Sequence, residues 1–342
     1  MPAKQILKKP SLKEIGISKE ALLGLYTYLL KTRTVDERLR KLFRQGRYAG
    51  TYFSAVGQEA TTVGPTYGLR DDDIIAPSHR EIGAAITKGV PMEKIIAQVY
   101  ARSNSPDKGK SHPCHYGYKE KGVITPASTV AGQTVVGTGC ALGFKIQKKD
   151  NVVLAFFGEG GTSRGGWHEA LNFAGIHKLP IVYICQNNLW AESVPSTLQA
   201  GIKQFSFRAK AYGFPGVTID GNDVVTVHKT AAEAITRARA GEGPTLIECM
   251  TYRWYGHSEI DPADYRSDTE LEKWKKEDPV PRAEKLLMDL GILSTERREA
   301  LVGEINQELD EAIKVCEGMK YSEPEEAYSD VYSDAFPVAR DE

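Results

Sequence analysis

One stretch, from Val152 to Trp190, constrains the fold of this chain more than any other part of its sequence. An apolar run, Val152–Phe157, is followed by a glycine-rich segment, a helical pattern from Trp167 to His177, and a second apolar run, Ile181–Cys185. A strand, a crossover helix and a second strand in this order are typical of a βαβ unit in a parallel sheet. The stretch therefore predicts an α/β fold with helices on both faces of a mostly parallel sheet.

Both predicted strands end in side chains that can bind a cation. Glu159 follows the first strand and Asn188 follows the second, so both are expected at the carboxyl edge of the sheet. Their oxygens suit Mg²⁺, which keeps phosphate oxygens among its other ligands. Backbone N–H groups of Gly160, Gly161 and Thr162 would meet such a phosphate near the start of the helix. An ordinary βαβ turn with a capping Asn explains the same pattern about equally well.

Composition excludes several classes of protein. The chain has 342 residues, 41% of them hydrophobic and 26% charged, which is ordinary for a globular chain that buries a sizeable core. A net charge of −1 gives no overall attraction to nucleic acid or to an anionic membrane. Five scattered cysteines form no disulfide pattern, and no apolar run reaches 18 residues. We therefore expect a cytoplasmic protein.

The two ends of the chain differ from its middle in composition. Residues 1–17 are rich in Lys and Pro and are interpreted as a flexible arm. Ser18 is expected to cap a long helix that continues to Phe43, and residues 18–320 are expected to form one α/β domain with a helical C-terminal part. The tail, 321–342, is mostly polar, but it contains four apolar residues that could dock on a partner: Tyr328, Val331, Tyr332 and Phe336.

Two further predicted strands deliver Arg and His to the same edge of the sheet. Ile74–Ala76 is followed by His79 and Arg80, and the strand near residue 250 is followed by Arg253 and His257. Arginine is well suited to bind an anion in such a place. A surface arginine is an equally good explanation for Arg80 on this sequence pattern alone.

A long polar loop, residues 105–125, carries three possible metal ligands, His112, Cys114 and His115. Zinc sites usually draw paired ligands from two separated clusters, and the sequence has no second cluster. Loops of this length in compact domains tend to be functional, so we expect this one to line a pocket.

A rival interpretation starts from Gly137, Gly139 and Gly143. Their spacing is close to a dinucleotide-binding fingerprint, and Glu159 lies 20 residues beyond Gly139, where a ribose-binding acid would stand. This interpretation predicts a nicotinamide-dependent dehydrogenase. It lacks a proper strand before the glycines, so close packing of a helix is the preferred explanation for them. A third interpretation is a non-catalytic scaffold with a relic nucleotide fold.

The motifs at these strand ends resemble those of the thiamine-diphosphate enzymes, whose signature runs from Gly-(Asp/Glu)-Gly to Asn-Asn. The closer similarity is to the α subunit of the decarboxylating component of 2-oxoacid dehydrogenases, and it extends from Arg33 to Tyr332. The motifs that carry it are Gly57-Gln-Glu-Ala60, Ser78-His-Arg80, the central stretch, and Tyr252-Arg253 to Ser267.

The resemblance assigns roles to individual residues. Glu159, Asn188 and the backbone carbonyl of Trp190 would hold Mg²⁺, and the backbone at Ser128 and Val130 would meet the aminopyrimidine ring. His257 would be the active-site histidine. The cofactor's diphosphate would be bound by a group around the glycine loop: His79, Arg80, Gly158, Glu159, Gly160, Gly161, Arg253 and His257. The substrate pocket would include Phe53, His115 and Tyr116.

The resemblance also implies a reaction and partners. The chain would decarboxylate a 2-oxo acid with thiamine diphosphate and Mg²⁺ and pass the acyl group to a lipoyl arm on a separate acyltransferase. It would act only with a β subunit, in an α₂β₂ heterotetramer. The loop from His112 to Glu120 is similar to the branched-chain type, which favours 2-oxoisovalerate over pyruvate or acetoin. His79 stands where several relatives have Tyr, and Gln186 where some have Arg.

Overall fold

The structure is a computed structural model that describes residues 11–330. The sheet strands and the two strands of a small hairpin are β1 (Ile74–Ala76), β2 (Val153–Gly158), β3 (Ile181–Asn187), β4 (Trp190–Ala191), β5 (Val194–Pro195), β6 (Gly216–Asp220) and β7 (Thr245–Met250). The helices are α1 (Leu12–Ile15), α2 (Lys19–Arg44), α3 (Glu59–Thr66), α4 (Ile82–Thr87), α5 (Met92–Val99), α6 (Gly132–Ile146), α7 (Gly165–Ile176), α8 (Ser196–Gln199), α9 (Val224–Arg239), α10 (Asp268–Lys275), α11 (Pro279–Asp289) and α12 (Thr295–Glu317).

The central sheet has five parallel strands in the order β1-β2-β3-β7-β6. The predicted βαβ unit is confirmed, because β2, α7 and β3 follow one another and β2 pairs with β3 from Val153 opposite Ile181. Parallel strands end at one edge, so the segments that follow β1, β2, β3 and β7 lie next to each other there.

Helices cover both faces of the sheet, as the sequence predicts. Alternate residues of β2 point to opposite faces: Val153, Ala155 and Phe157 pack under α6 and α7, whereas Leu154 and Phe156 pack under α2, α5, α9 and α12. All five are fully or almost fully buried. The strands therefore read as continuous apolar runs because water reaches neither face.

The long helix α2 begins where the sequence predicts. Ser18 is its N-cap, and the Ser18 side chain accepts a hydrogen bond from the backbone N–H of Ala21 at 3.1 Å. Before it, Ser11 and Glu14 form a capping box around the short helix α1. Residues 1–10 of the predicted arm, and Val331, Tyr332 and Phe336 of the predicted docking tail, lie outside the described residues.

Helix α6 decides between the two explanations of its glycines. A Cβ added to Gly137 would lie 3.2 Å from Cβ of Ala155 on β2, so close packing is confirmed for Gly137. At Gly139 and Gly143 an added Cβ would meet nothing within 4 Å, so the same explanation is wrong for them. All three lie inside a helix rather than in a strand-to-helix turn, which contradicts the dinucleotide fingerprint.

Helix α5 ends at Val99, and Ala101 just beyond it takes a left-handed backbone conformation with φ of 51°. Between residues 11 and 330, no helix is both long enough and apolar enough to cross a membrane.

Candidate active site

A cavity of about 420 Å³ lies at the carboxyl edge of the sheet. The segments that follow β1, β2, β3 and β7 all contribute to it, together with the loop before α6 and residue Phe53. The predicted site residues that line it are Phe53, His79, Arg80, His115, Ser128, Val130, Gly158, Glu159, Gly160, Gly161, Asn188, Trp190, Arg253 and His257. All the predicted site residues except Tyr116 therefore line one cavity.

Glu159 is the most unusual group in the cavity. It is 1% exposed, and one carboxylate oxygen, Oε2, accepts a hydrogen bond from the backbone N–H of Asn188 at 3.2 Å. The other oxygen, Oε1, is buried and has no hydrogen-bond partner. Burial raises the pKa of this carboxyl to about 7. An ionised, buried oxygen without a donor is costly by itself and is suited to a bound cation.

The residues after β3 hold the second predicted metal ligand. Asn188 donates through Nδ2 to Oε1 of Gln58 at 3.2 Å, and its Oδ1 accepts from the backbone N–H of Trp190 at 3.2 Å. Between them, Leu189 has φ of 71°, a left-handed conformation that turns the chain back toward Glu159. Asn187 points elsewhere and donates to the buried carboxylate of Glu248 at 2.7 Å.

The glycine-rich segment forms a separate 3₁₀ turn, Glu159–Ser163, before α7 begins at Gly165. The sequence predicted one helix start at this position, and the structure divides it into two steps. A Cβ at Gly160 would lie 2.8 Å from Cβ of Ala191, so only glycine allows β4 to approach this closely. The turn is also fixed from outside, because Gln199 donates to the carbonyl oxygen of Glu159 at 2.7 Å.

Two buried arginines make the cavity strongly positive. Arg80 and Arg253 are 5% and 1% exposed, and neither forms an ion pair with any carboxylate among residues 11–330. Burial and the charge of Arg253 lower the pKa of Arg80 to about 10. Nε and Nη1 of Arg253 are buried without a hydrogen-bond acceptor. Such unpaired, desolvated cations are well suited to bind an anion.

His257 contacts Arg80 at the edge of the cavity. Nη2 of Arg80 is 3.2 Å from Nδ1 of the His257 ring, and the backbone N–H of His257 donates to Asp261. Burial and the charges of Arg80 and Arg253 lower the pKa of this imidazole to about 4. The ring is therefore neutral at neutral pH, and because Nδ1 faces an arginine donor, it carries its proton at Nε2.

Three histidine rings, including that of His257, pack around the ring of Phe53. The ring centroid of Phe53 is 4.5 Å from that of His79, 5.1 Å from that of His112 and 5.1 Å from that of His257. Burial and the charge of Arg80 lower the pKa of His79 well below its usual value, and its Nε2 has no partner. These rings form a neutral wall beside the arginines.

The residues predicted for the substrate pocket separate into two groups. Phe53 and His115 line the cavity, and Nε2 of His115 is 3.4 Å from the Ser128 hydroxyl. Tyr116 does not line the cavity; it is 3% exposed and packs in the hydrophobic core. The backbone turns sharply between His115 and Tyr116, so neighbouring residues of one loop face different surroundings.

Sequence reasoning missed several polar residues that support the site. Gln58 holds Asn188, and Gln133 lines the cavity. Gln186, noted in the sequence only as a departure from Arg, also lines the cavity and donates to the Thr61 hydroxyl at 2.6 Å. Gln58 belongs to the motif Gly57–Ala60, which was noted for its resemblance but given no role. Glutamines carry no charge pattern, so nothing in the sequence marks them as buried supports.

The described part of the chain has no group of three or more His, Cys, Asp or Glu side chains that could hold a metal ion. A site with one carboxylate, one amide and one backbone carbonyl would not form such a group. Glu159 is therefore the only acid of the predicted metal ligands, with Asn188 and Trp190 as its neutral companions.

Comparison with known proteins places this geometry in a family context. Residues 26–325 match the model of a family described as "Dehydrogenase E1 component". The chain is 37% identical over 322 residues to the 2-oxoisovalerate dehydrogenase subunit alpha of Bacillus subtilis (strain 168), covering 93% of this chain and 97% of that protein.

Two other relatives carry different names. The subunit alpha of acetoin:2,6-dichlorophenolindophenol oxidoreductase from Bacillus subtilis (strain 168) is 33% identical, with 96% of this chain and 97% of that protein covered. The pyruvate dehydrogenase E1 component subunit alpha of Rhizobium meliloti (strain 1021) is 33% identical, with 93% and 90% covered. All three similarities extend over nearly the whole of each chain.

Proposed function

This chain belongs to the dehydrogenase E1 component family, and we propose that it acts as the α subunit of a thiamine-diphosphate-dependent 2-oxoacid dehydrogenase. One observation carries the proposal. The cavity places two buried arginines that lack a carboxylate partner beside a buried carboxylate oxygen that lacks a donor. A diphosphate together with a divalent cation satisfies both requirements at once.

The residues present fit the cofactor and Mg²⁺. Glu159, the side chain of Asn188 and the backbone carbonyl of Trp190 would hold the metal ion. Arg80 and Arg253 would neutralise the diphosphate, and His79 and His257 lie within the same wall. The backbone of the glycine turn reaches the cavity because Gly160 allows a close approach. Ser128 and Val130, at the other side of the cavity, would meet the aminopyrimidine ring.

The chemistry divides between cofactor and protein. Thiamine diphosphate, when bound, supplies a carbon centre that can attack a 2-oxo acid and hold the electrons released by loss of carbon dioxide. This chain would bind and orient the diphosphate and keep water out of a cavity walled by Phe53, Phe156 and Phe157. His257 would present an Nε2–H donor near the reacting atoms, since its ring is neutral and Nδ1 accepts from Arg80.

A β subunit is the partner that the surface supports best. Helix α6, whose first turn reaches the cavity, exposes an apolar face with Val135, Val136 and Ile146, and Val130 beside it is 57% exposed. Exposed apolar residues grouped in this way mark interaction sites. We infer that the β subunit covers this face and closes the cavity, in an α₂β₂ assembly. The acyl acceptor would be a lipoyl arm on a separate acyltransferase.

The preferred substrate is proposed to be 2-oxoisovalerate. The relative with 37% identity carries that substrate in its name, and the loop from His112 to Glu120 resembles the branched-chain type. Pyruvate and acetoin remain the alternatives, because relatives with 33% identity bear those names. The cytoplasmic location expected from the sequence stays a prediction.

Turnover assays test the proposal. The chain is combined with its β subunit, thiamine diphosphate and Mg²⁺, and reduction of a dye acceptor is followed with 2-oxoisovalerate, pyruvate and acetoin in turn. We expect the largest kcat/KM for 2-oxoisovalerate. A higher kcat/KM for pyruvate or acetoin would contradict the proposed substrate but not the proposed reaction class. Absence of turnover with all three would contradict the proposed function.

A further inference from the structure

The inward face of α2 carries charged residues among its apolar ones. Arg33, Asp36 and Arg40 follow one another at spacings of three and four, which places them along one face of the helix. Asp36 is fully buried and Arg40 is 6% exposed. None of the three lines the cavity. Buried charges are retained only where specific partners compensate for lost hydration, so their partners show what they do.

The partners of Asp36 lie in one short segment, residues 52–58, which we call the strap. Oδ1 of Asp36 accepts a hydrogen bond from the Ser54 hydroxyl at 2.7 Å, and Oδ2 accepts from the backbone N–H of Ala55 at 2.7 Å. The Ser54 hydroxyl also accepts from the backbone N–H of Val56 at 3.2 Å. One carboxylate therefore fixes the middle of the strap.

The strap in turn contacts the cavity. The carbonyl oxygen of Ser54 accepts a hydrogen bond from Nη1 of Arg80 at 2.9 Å, and Nη2 of the same guanidinium faces Nδ1 of His257 at 3.2 Å. Phe53, which precedes Ser54 in the strap, packs its ring against His79 and His257. A continuous set of contacts thus runs from Asp36 through the strap to Arg80 and His257.

The strap also holds the segment 252–259, which we call the His257 loop. The backbone N–H of Glu259 donates to the carbonyl oxygen of Tyr52 at 2.9 Å, and that of Trp254 donates to Val56 at 3.2 Å. A Cβ at Gly57 would lie 2.4 Å from Cδ1 of Trp254. Backbone and glycine together let the strap lie directly on the loop that carries His257.

Arg40 and Arg33 reach the same loop without the strap. Arg40 binds Glu259 with two hydrogen bonds of 2.5 and 3.2 Å, and both side chains are almost completely buried. Its guanidinium lies over the ring of Tyr255. The guanidinium of Arg33 is 4.7 Å from the ring centroid of Trp254. Helix α2 therefore holds the His257 loop on both sides of His257.

We propose that Asp36 and Arg40 are positioning residues that set Arg80 and His257 in the cavity, Asp36 through the strap and Arg40 through Glu259. The inference rests on the proposed function in one respect, since it takes His257 as the catalytic group. Small displacements of a catalytic group lower rates by ~10- to 100-fold. We therefore expect loss of this support to lower kcat in variants that still fold.

The test uses three variants, two on α2 and one in the strap, and two control variants on α2. Asp36→Asn keeps the shape but replaces one acceptor oxygen with a donor, Arg40→Gln removes the two hydrogen bonds from Arg40 to Glu259, and Ser54→Ala removes one hydrogen bond to Asp36. Leu29→Ala is a buried apolar change on α2 that lowers stability in a hydrophobic cluster that contains no strap residue. Arg38→Gln removes a pair with Asp310 on the outer side of α2.

Two readouts are needed for each variant. Hydrogen exchange at the backbone amides of Trp254 and Glu259 reports whether the strap still holds the loop, because both amides donate to it. Steady-state kinetics of the complex with the β subunit gives kcat and KM separately. We expect at least ~10-fold faster exchange and a ~10- to 100-fold lower kcat, with a smaller change in KM, for Asp36→Asn and Arg40→Gln. Ser54→Ala is expected to raise the exchange rate and lower kcat as well, but by smaller factors than the other two variants.

The controls define what overturns the inference. Leu29→Ala and Arg38→Gln are expected to keep near wild-type exchange at these amides and near wild-type kcat. Wild-type exchange in Arg40→Gln and Ser54→Ala would overturn the inference even if Asp36→Asn fails to fold. An equal loss of kcat in Leu29→Ala would overturn it too, since loss of stability would then explain the effect.

Failure of the inference and failure of the proposed function give different results. His257→Ala with wild-type kcat would contradict the role of His257, yet exchange at Trp254 and Glu259 still decides whether α2 holds the loop. A large loss of kcat in His257→Ala, with wild-type behaviour in Arg40→Gln and Ser54→Ala, would contradict only the positioning role.

Discussion

The surroundings of Glu159 in the folded chain disfavour its ionised form. One of its oxygens accepts a hydrogen bond from Asn188, and the other is buried without a donor. Burial raises its pKa to about 7 from the ordinary value near 4.5. The folded chain therefore binds a proton at Glu159 more tightly than the unfolded chain does, and this difference has a measurable consequence.

The pH dependence of stability tests this residue. A raised carboxyl pKa makes the folded chain less stable as pH rises from about 4.5 to about 7. Glu159→Gln removes that penalty. In EDTA we expect the variant to become more stable than wild type across this window, by about 1–3 kcal/mol at pH 7.5, in urea unfolding. Excess Mg²⁺ should narrow the difference, because the cation stabilises only the wild type. Parallel stability curves would contradict this account of Glu159.

For individual residues, the sequence predicted which side chains line the cavity better than it predicted which residues hold them in place. Glu159, Arg80 and His257 could be predicted because charged groups directly follow predicted strands. Gln58 and Asp36 could not, because they approach the site from other elements and only the fold brings them near. Tyr116 was misplaced for a related reason, since the sequence does not show which side of a loop faces the cavity.

The glycine turn is the element that admits the diphosphate in this account. A side chain at Gly160 would collide with Ala191, so Gly160→Ala should displace β4 and weaken binding of thiamine diphosphate by at least ~10-fold in calorimetry. Gly139→Ala is the matched control. Its Cβ meets nothing within 4 Å inside α6, so it should stabilise the chain by ~0.5–1 kcal/mol and leave affinity unchanged. Unchanged affinity in Gly160→Ala would contradict the assignment.

The exposed face of α6 is the element expected to meet the β subunit. Val136→Lys places a charge on that face, where the native side chain is 45% exposed, so the folding of the isolated chain should change little. Association with the β subunit, measured by analytical ultracentrifugation, should weaken by ~10-fold or more. Val315→Lys, at a similarly exposed valine on α12, serves as the control. Equal association of both variants would place the partner elsewhere.

Helices and strands that a local sequence pattern marks were predicted closely, whereas the way in which they pack against one another was not. Strand β1 has the predicted bounds, and β2, β3 and α2 differ from prediction by one or two residues, because apolar runs and a capping serine mark them locally. The strand order β1-β2-β3-β7-β6 depends on contacts between distant segments, which no local pattern carries. The outward glycines of α6 show the same limit, since spacing does not tell a packed face from an exposed one.

In the proposed assembly, this chain forms only one side of the site. Val130 lines the cavity and is 57% exposed beside the apolar face of α6, where we infer that the β subunit closes the cavity. We therefore expect the purified chain alone to show no decarboxylation above background with 2-oxoisovalerate and a dye acceptor, and activity to appear on addition of the β subunit. Full activity of the isolated chain would contradict this expectation.

The most direct test of the account is calorimetry of cofactor binding to the complex with the β subunit. We predict that thiamine diphosphate binds only with a divalent cation, that EDTA abolishes the heat, and that Glu159→Gln weakens binding by ~100-fold or more. NAD should give no heat. Binding of thiamine diphosphate that is unchanged by EDTA and by Glu159→Gln, or metal-independent binding of NAD, would contradict the claim that this cavity holds a diphosphate through a metal ion at Glu159.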